Sequence, residues 1–211
     1  MTIVQQHDIR PGCLGRPHPG SVAVEVEDQP LAVVQQPVEV DPPTDESTVD
    51  PVQRTLAARI DGDFRILHAP LIVDRPETAA ALRDERTNAA TLERAESAGV
   101  AICGIGSIDS SLSGLVRAGY FTETQLTDLR SRGVVGDILG YLLDTEGRVM
   151  DLTENERLVA LHPHRLRRVD TVIGVAAGKA KALAVLAVLR GSLVDVIVTD
   201  QATAEAALRD A

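Results

Sequence analysis

From residue 99 onward, apolar and polar positions alternate in blocks that read as strands and helices. "GVAICGIG" (99–106) is an unbroken apolar run ending in glycines, which predicts a strand buried on both faces. "TETQLTDLRSRG" (122–133) has a helix start at Thr122 and a stop at Gly133. "GDILGYLLDTEGRVMDL" (136–152) predicts two strands with a turn at Thr145-Glu146-Gly147. Strand "TVIGVAA" (171–177), helix "KAKALAVLAVLRG" (179–191), strand "LVDVIVTD" (193–200) and helix "ATAEAALRD" (202–210) follow in order. Strand–helix–strand–helix order predicts an α/β fold: a mostly parallel sheet with helices on both faces.

Upstream the pattern is weaker. Residues 1–30 contain Pro11, Pro17, Pro19 and Pro30 and have no sustained period, which predicts an irregular leader. "LAVVQQ" (31–36) predicts a short buried strand, followed by the acidic loop "VDPPTDESTVD" (40–50). Pro51 opens a predicted helix over 51–60, and "FRILHAPLIV" (64–73) predicts a strand broken at Pro70. A helix is predicted over 76–98, with Asn88 as the residue that interrupts it.

Composition narrows the function. The chain has 211 residues, 44% hydrophobic and 25% charged, as in an ordinary globular protein. Aromatics are only 2%, so the core must be aliphatic. A formal net charge of -10 argues against DNA binding by this chain, since phosphate neutralisation needs clustered cations. The one dense basic run, "HPHRLRR" (162–168), is too short for such a surface and suits a helix end. Cys13 and Cys103 sit in unlike contexts, so no disulfide framework is expected. No apolar run approaches ~20 residues and the N-terminus lacks a signal pattern, so a cytoplasmic protein with no membrane partner is expected.

Ligands of such sheets bind at the carboxyl ends of strands. "GIGSIDSSLSG" (104–114) begins Gly-x-Gly, but Asp109 stands where a dinucleotide fingerprint needs its third glycine. "GVAAGK" (174–179) is one residue short of a phosphate-binding loop of nucleotide hydrolases, and Ala180 replaces the magnesium-holding hydroxyl. No cofactor is therefore expected. What survives is the physical device: a strand ends, Gly178 permits close backbone approach, and a helix begins with Lys179 and Lys181 in its first turn. Either the turn holds an anion, or Gly178 only permits the turn and both lysines are solvated. His162 and His164 lack nearby ligands at metal-binding spacing, so no metal is expected.

Five segments carry a resemblance: "LHAPLIVDRPET" (67–78), "GVAICGIGSIDSSLSGLVRAGYFT" (99–122), "GVVGDILGYLLDTEG" (133–147), "RLRRVDTVIGVAAGKAKALAVLAVLRG" (165–191) and "LVDVIVTDQATAEAAL" (193–208). In order and spacing the chain from Leu31 onward resembles the sugar-binding domain of SorC/DeoR-like bacterial transcriptional regulators. The resemblance implies a fold related to the sugar-phosphate isomerases and a role in sensing a phosphorylated sugar. It implies that Asp137 contacts sugar hydroxyls, that Leu139 lines the pocket, and that Lys181 rather than Lys179 meets the phosphate. An ionised Asp accepts hydrogen bonds only, which suits hydroxyl donors, although a turn or cap role after Gly136 is the alternative. Gly106 and Ser107 border the ligand or serve a simple turn, and His68 is either a ligand contact or a half-buried, satisfied histidine.

Members of the family carry an N-terminal helix-turn-helix and a Gly-x-Thr phosphate loop, and residues 1–30 resemble neither. The expectation is a domain over 31–211, truncated on its N-terminal side, acting as a homo-oligomer or as a subunit of a full-length regulator. Two alternatives remain. A sugar-phosphate isomerase needs a base and a partner acid, and only Asp109 follows the Gly-Ile-Gly-Ser loop. The other is a truncated relic without a ligand.

Overall fold

A computed structural model describes residues 2–6, 31–34, 59, 62–109 and 111–209. The helix expected over 51–60, the acidic loop and Cys13 lie outside the described residues, apart from Arg59, which is helical. One strand falls inside the expected irregular leader: β1 (Thr2–Gln6) pairs antiparallel with β3 (Gly62–Ile66). Thr2, Ile3 and Val4 are β-branched and suit a strand. Their partner is distant in the chain, so no local period shows the pairing.

The main sheet is built on β4 (Val100–Ser107). Parallel to it run β2 (Leu31–Val34) and β7 (Thr171–Val175), and β8 (Val196–Val198) extends the parallel side beyond β7. Two antiparallel strands, β5 (Gly136–Ile138) and β6 (Tyr141–Leu143), complete the order β6-β5-β4-β7-β8. β2 and β5 divide β4 between them, pairing with residues 100–103 and 105–107 respectively. The mostly parallel α/β architecture is therefore present, with β5 and β6 as its antiparallel part.

Around the sheet lie α1 (Pro76–Asp84), α2 (Arg86–Glu96), α3 (Gly114–Arg117), α4 (Glu123–Ser131), α5 (Thr153–Glu156), α6 (Ala182–Arg190) and α7 (Gln201–Arg209). The core is aliphatic, with Ile105, Leu126, Leu129, Ile138 and Leu143 fully buried. Thr122 caps α4 as its sequence predicts, in a reciprocal capping box with Gln125.

Several boundaries differ from expectation. The break in the 76–98 helix falls at Glu85, not Asn88. Glu85 leaves helical geometry with ψ 133 and accepts hydrogen bonds from the Thr87 and Asn88 amides at 2.8 and 3.2 Å. Asn88 is instead buried, accepting from the His68 amide at 3.0 Å and donating to Leu82 O at 2.8 Å. The strand expected over 64–73 ends at Ile66, and beyond it only Ile72 makes an isolated bridge, to Leu158. Within 136–152 the predicted turn exists, with Gly147 N–H donating to Asp144 O at 3.0 Å. A tighter one precedes it at Leu139 and Gly140, with φ of 58 and 85. Two successive positive φ values make a hairpin turn whose twist matches the strands.

β6 does not run on into a further named strand; Asn155 from α5 covers its backbone. Its amide accepts from Leu142 N–H at 2.8 Å and donates to Leu142 O at 3.1 Å and Met150 O at 2.7 Å. Met150 N–H also donates to Leu142 O at 3.1 Å and Val149 bridges Leu143, so the returning segment and the Asn155 amide together cover the β6 edge at Leu142.

Candidate functional site

The site starts with a pair of glycines inside β4. Side chains alternate along a strand, so Gly104 and Gly106 share one face. A methyl at Gly106 would lie 1.9 Å from Asp137 Oδ1, so the absent side chain is the space the carboxylate occupies. Among the described residues, nothing lies within 4 Å of where a methyl at Gly104 would stand. The two glycines therefore strip the end of β4 bare: one position seats a carboxylate, the other opens beside it. Neither Gly106 nor Ser107 is in a turn; both are strand residues. Next to Gly104 in register stands Val175, which is 40% exposed, and beyond it Val198, 41% exposed. They extend the glycine surface as a shallow apolar floor at the carboxyl end of the parallel strands.

Asp137 sits on β5 opposite Gly106 and is 2% exposed. The Leu139-Gly140 turn brings the Gly140 amide back toward Asp137, where it favours the ionised carboxylate. Its Oδ2 is buried and has no hydrogen-bond partner among the described residues. Burial pushes the Asp137 carboxyl up to about 7, against the opposing pull of the Lys181 ammonium and the Gly140 amide. A buried oxygen with no donor costs free energy unless something supplies a hydrogen bond. Leu139 itself is 3% exposed and packed in the core, so its visible contribution is the left-handed turn.

The lysine turn follows β7. Gly178 has φ 105, a conformation glycine adopts without strain. Residues Lys179–Lys181 form one turn of 3₁₀ helix, and α6 begins only at Ala182, later than the sequence pattern suggests. Not every amide here is available. Gly178 N–H donates to Asp200 Oδ2 at 2.7 Å, and Lys181 N–H donates to Gly178 O at 2.9 Å. The amides of Lys179 and Ala180 have no partner among the described residues. Gly178 thus shapes the turn and has no spare N–H to offer a ligand.

Two bonds fix this turn against β4. Ser107 Oγ donates to Ala180 O at 3.1 Å, and the Lys181 ammonium donates to Ile105 O at 2.8 Å. Ser107 also accepts from the Asp109 amide at 3.1 Å, so its hydroxyl is structural. Burial lowers the Lys181 ammonium from its ordinary value, the Asp137 carboxylate raises it, and the Arg117 guanidinium lowers it further. Asp137 and Lys181 each favour the other's charged form, and burial outweighs that attraction on both.

Arg117, on α3, is a cation that sequence reasoning missed. It lies close enough to Lys181 to repel it, and among the described residues it has no carboxylate partner. Its only sequence signal is its place in the helix after the glycine-bearing loop. His68 is not drawn into the cluster: its side chain is exposed rather than half-buried, and its backbone is tied to Asn88. A separate open groove of about 720 Å³ is lined by Arg83, Tyr141, Asn155, His162 and Arg165, among others, and touches neither Asp137 nor Lys181. Its size is not matched by a buried, bond-seeking polar group, so the chemistry points to Asp137. Cys103 is fully buried, and burial pushes its thiol up to about 12, which leaves it inert packing.

Comparison with known proteins gives this cluster a context. Residues 22–209 match the Sugar-bind family of sugar-binding domains, nearly the whole chain. The chain belongs to that family. The transcriptional regulator LsrR of Enterobacter sp. (strain 638) is 37% identical over 145 residues, covering 68% of this chain and 45% of the regulator. The chain thus spans about half the length of the curated relatives it matches. Among solved structures, the Sugar-bind domain here resembles the sugar-binding domain of a transcriptional repressor from Vibrio fischeri. That match has 31% identity and a TM-score of 0.67 over 75% of this chain and 63% of that one. The full-length sorbitol operon regulator SorC from Klebsiella pneumoniae matches at 28% identity and a TM-score of 0.65, covering 73% and 50%. The curated relatives of this Sugar-bind domain are regulators, which favours sensing over catalysis.

Proposed function

We propose that this chain is the effector-sensing part of a SorC/DeoR-type transcriptional regulator and that its ligand is a phosphorylated sugar. The observation that carries the reading is the fully buried Asp137 carboxylate, one oxygen of which has no partner among the described residues, beside the Lys181 ammonium. Sugar hydroxyls donate to that oxygen. The phosphate dianion meets the Lys179 and Ala180 amides, the Lys181 ammonium and the Arg117 guanidinium, where two cations face each other. Gly104, Val175 and Val198 supply the flat surface under the sugar. Gly106, Ser107, Leu139 and Gly178 shape this arrangement, and His68 is at most peripheral to it. The sensing domain runs over 31–211 and works in the cytoplasm, as a homo-oligomer or within a full-length regulator whose separate module reads DNA.

The test is a thermal-shift panel of sugar phosphates and their parent sugars. A ligand at 100 times its dissociation constant stabilises by about 2.7 kcal/mol. Lys181→Ala should abolish the shift caused by a phosphorylated sugar while leaving any shift from the parent sugar. An unchanged shift in that variant refutes the phosphate assignment, and isomerase turnover in a coupled assay would move the reading to catalysis.

A further inference from the structure

We infer that Asp200 is the positioning residue of the anion-binding turn, holding it through Gly178 so that the Lys179 and Ala180 amides face the ligand. The inference rests on the phosphosugar reading above. Asp200 follows β8 and stands just before α7. Its Oδ1 accepts from Thr203 N–H at 2.9 Å, which caps α7. Its Oδ2 accepts from Gly178 N–H at 2.7 Å and from the Thr203 hydroxyl at 2.7 Å, and Thr203 is fully buried. One side chain therefore serves two elements: it starts a helix and latches the loop that follows β7.

The latch acts at the residue whose conformation matters most. Gly178 has φ 105 and ψ 130, and its ψ sets where the next amide, that of Lys179, points. Its carbonyl is held by Lys181 N–H and its own N–H by Asp200. Ser107 and the Lys181 ammonium hold the far end of the same turn against β4. Without the carboxylate, the Gly178 peptide keeps no anchor on its N–H side, and glycine has the freedom to rotate. The hydrogen bonds from Thr203 and Gly178 hold the Asp200 carboxyl down at about 2, so it stays ionised and can only accept.

Charge alone would assign Asp200 the opposite role. A carboxylate close to a phosphate site repels the phosphate, so neutralising it should tighten anion binding. Positioning predicts the reverse, and this difference of sign decides between the two. Asp200→Asn separates the functions further. Asn caps helices as well as Asp does, so Oδ1 can still take Thr203 N–H. Its NH₂ group would face Gly178 N–H, donor against donor, and the latch is lost.

The experiment measures binding of ribose 5-phosphate, fructose 6-phosphate and inorganic phosphate, with ribose and fructose as controls, to the whole chain and its variants. For a phosphate ester that binds the parent protein, Asp200→Asn should weaken affinity about ten- to a hundred-fold, the range expected for losing hydrogen bonds to a charged group. Affinity for the unphosphorylated sugar should stay the same, which a merely structural role would not allow. Equal or tighter phosphate-ester binding by Asp200→Asn overturns the inference. Gly178→Ala leaves Asp200 in place but strains the φ 105 conformation, and it should show the same selective loss. If Asp200→Asn fails to fold, unchanged ester binding by Gly178→Ala overturns the inference instead. If no phosphate ester binds the parent protein, the phosphosugar reading itself falls.

Discussion

Replacing Asp137 by Asn should make the fold more stable at neutral and alkaline pH while removing ligand binding. The reason is the charge that the site keeps buried. An unfolded Asp titrates near about 3.9, whereas burial holds the Asp137 carboxyl at about 7 in the folded chain. Between those two values the folded chain retains a proton that the unfolded chain has released. Stability therefore falls as pH rises through this window and levels off above about 7, opposite to the usual behaviour of a carboxylate. At about 1.4 kcal/mol per pH unit, the full cost is about 4 kcal/mol near pH 8 and about 1–2 kcal/mol near pH 5.

An Asn at 137 stays neutral throughout and avoids that cost. The unfolding free energy of Asp137→Asn relative to the parent should thus shift by about 2–3 kcal/mol in the variant's favour between about pH 5 and about pH 8. Urea unfolding followed by far-UV circular dichroism measures it, since the chain has no tryptophan to report by fluorescence. A stability difference that is the same at both pH values, or that moves against the variant at high pH, would refute the argument. Ligand binding adds a consistent sign: hydroxyls that donate to Asp137 favour its ionised form, so effector affinity should rise with pH up to about 7.

The two glycines of β4 should behave differently. Gly106→Ala puts a methyl 1.9 Å from Asp137 Oδ1 and should cost about 1–3 kcal/mol together with loss of the phosphosugar-induced thermal shift. Gly104→Ala meets open space, so the melting point should hold or rise while calorimetry shows weaker sugar binding, because the methyl enters the ligand's space. Asn155→Ala takes the acceptor from Leu142 N–H, while Leu142 O keeps Met150 N–H, and should cost about 1–3 kcal/mol, read as a lower urea midpoint with an unchanged slope.

Much of the fold was legible because its signals are local. The apolar run at 99–106 pointed to a buried strand, found at 100–107, and Thr122 signalled the start of α4, which it caps through partners three residues apart. Less legible were features set by distant neighbours. The helix break moved to Glu85 because Asn88 found buried partners at His68 and Leu82, which no local propensity encodes. The strand Thr2–Gln6 depends on residues 62–66.

At the site, sequence alone determined the residue types, a carboxylate at 137, an ammonium at 181 and glycines at 106 and 178, and the family resemblance tied them to sugar-phosphate recognition. Tertiary structure decided what those types do. It laid Asp137 over Gly106 and left one of its oxygens without a partner among the described residues, gave Gly178 N–H to Asp200, tied Ser107 to Ala180, and brought Arg117 toward Lys181. The physical reason is range. Propensity and periodicity act over a few residues along the chain, whereas desolvation, charge coupling and hydrogen-bond competition depend on which distant groups the packed sheet brings together.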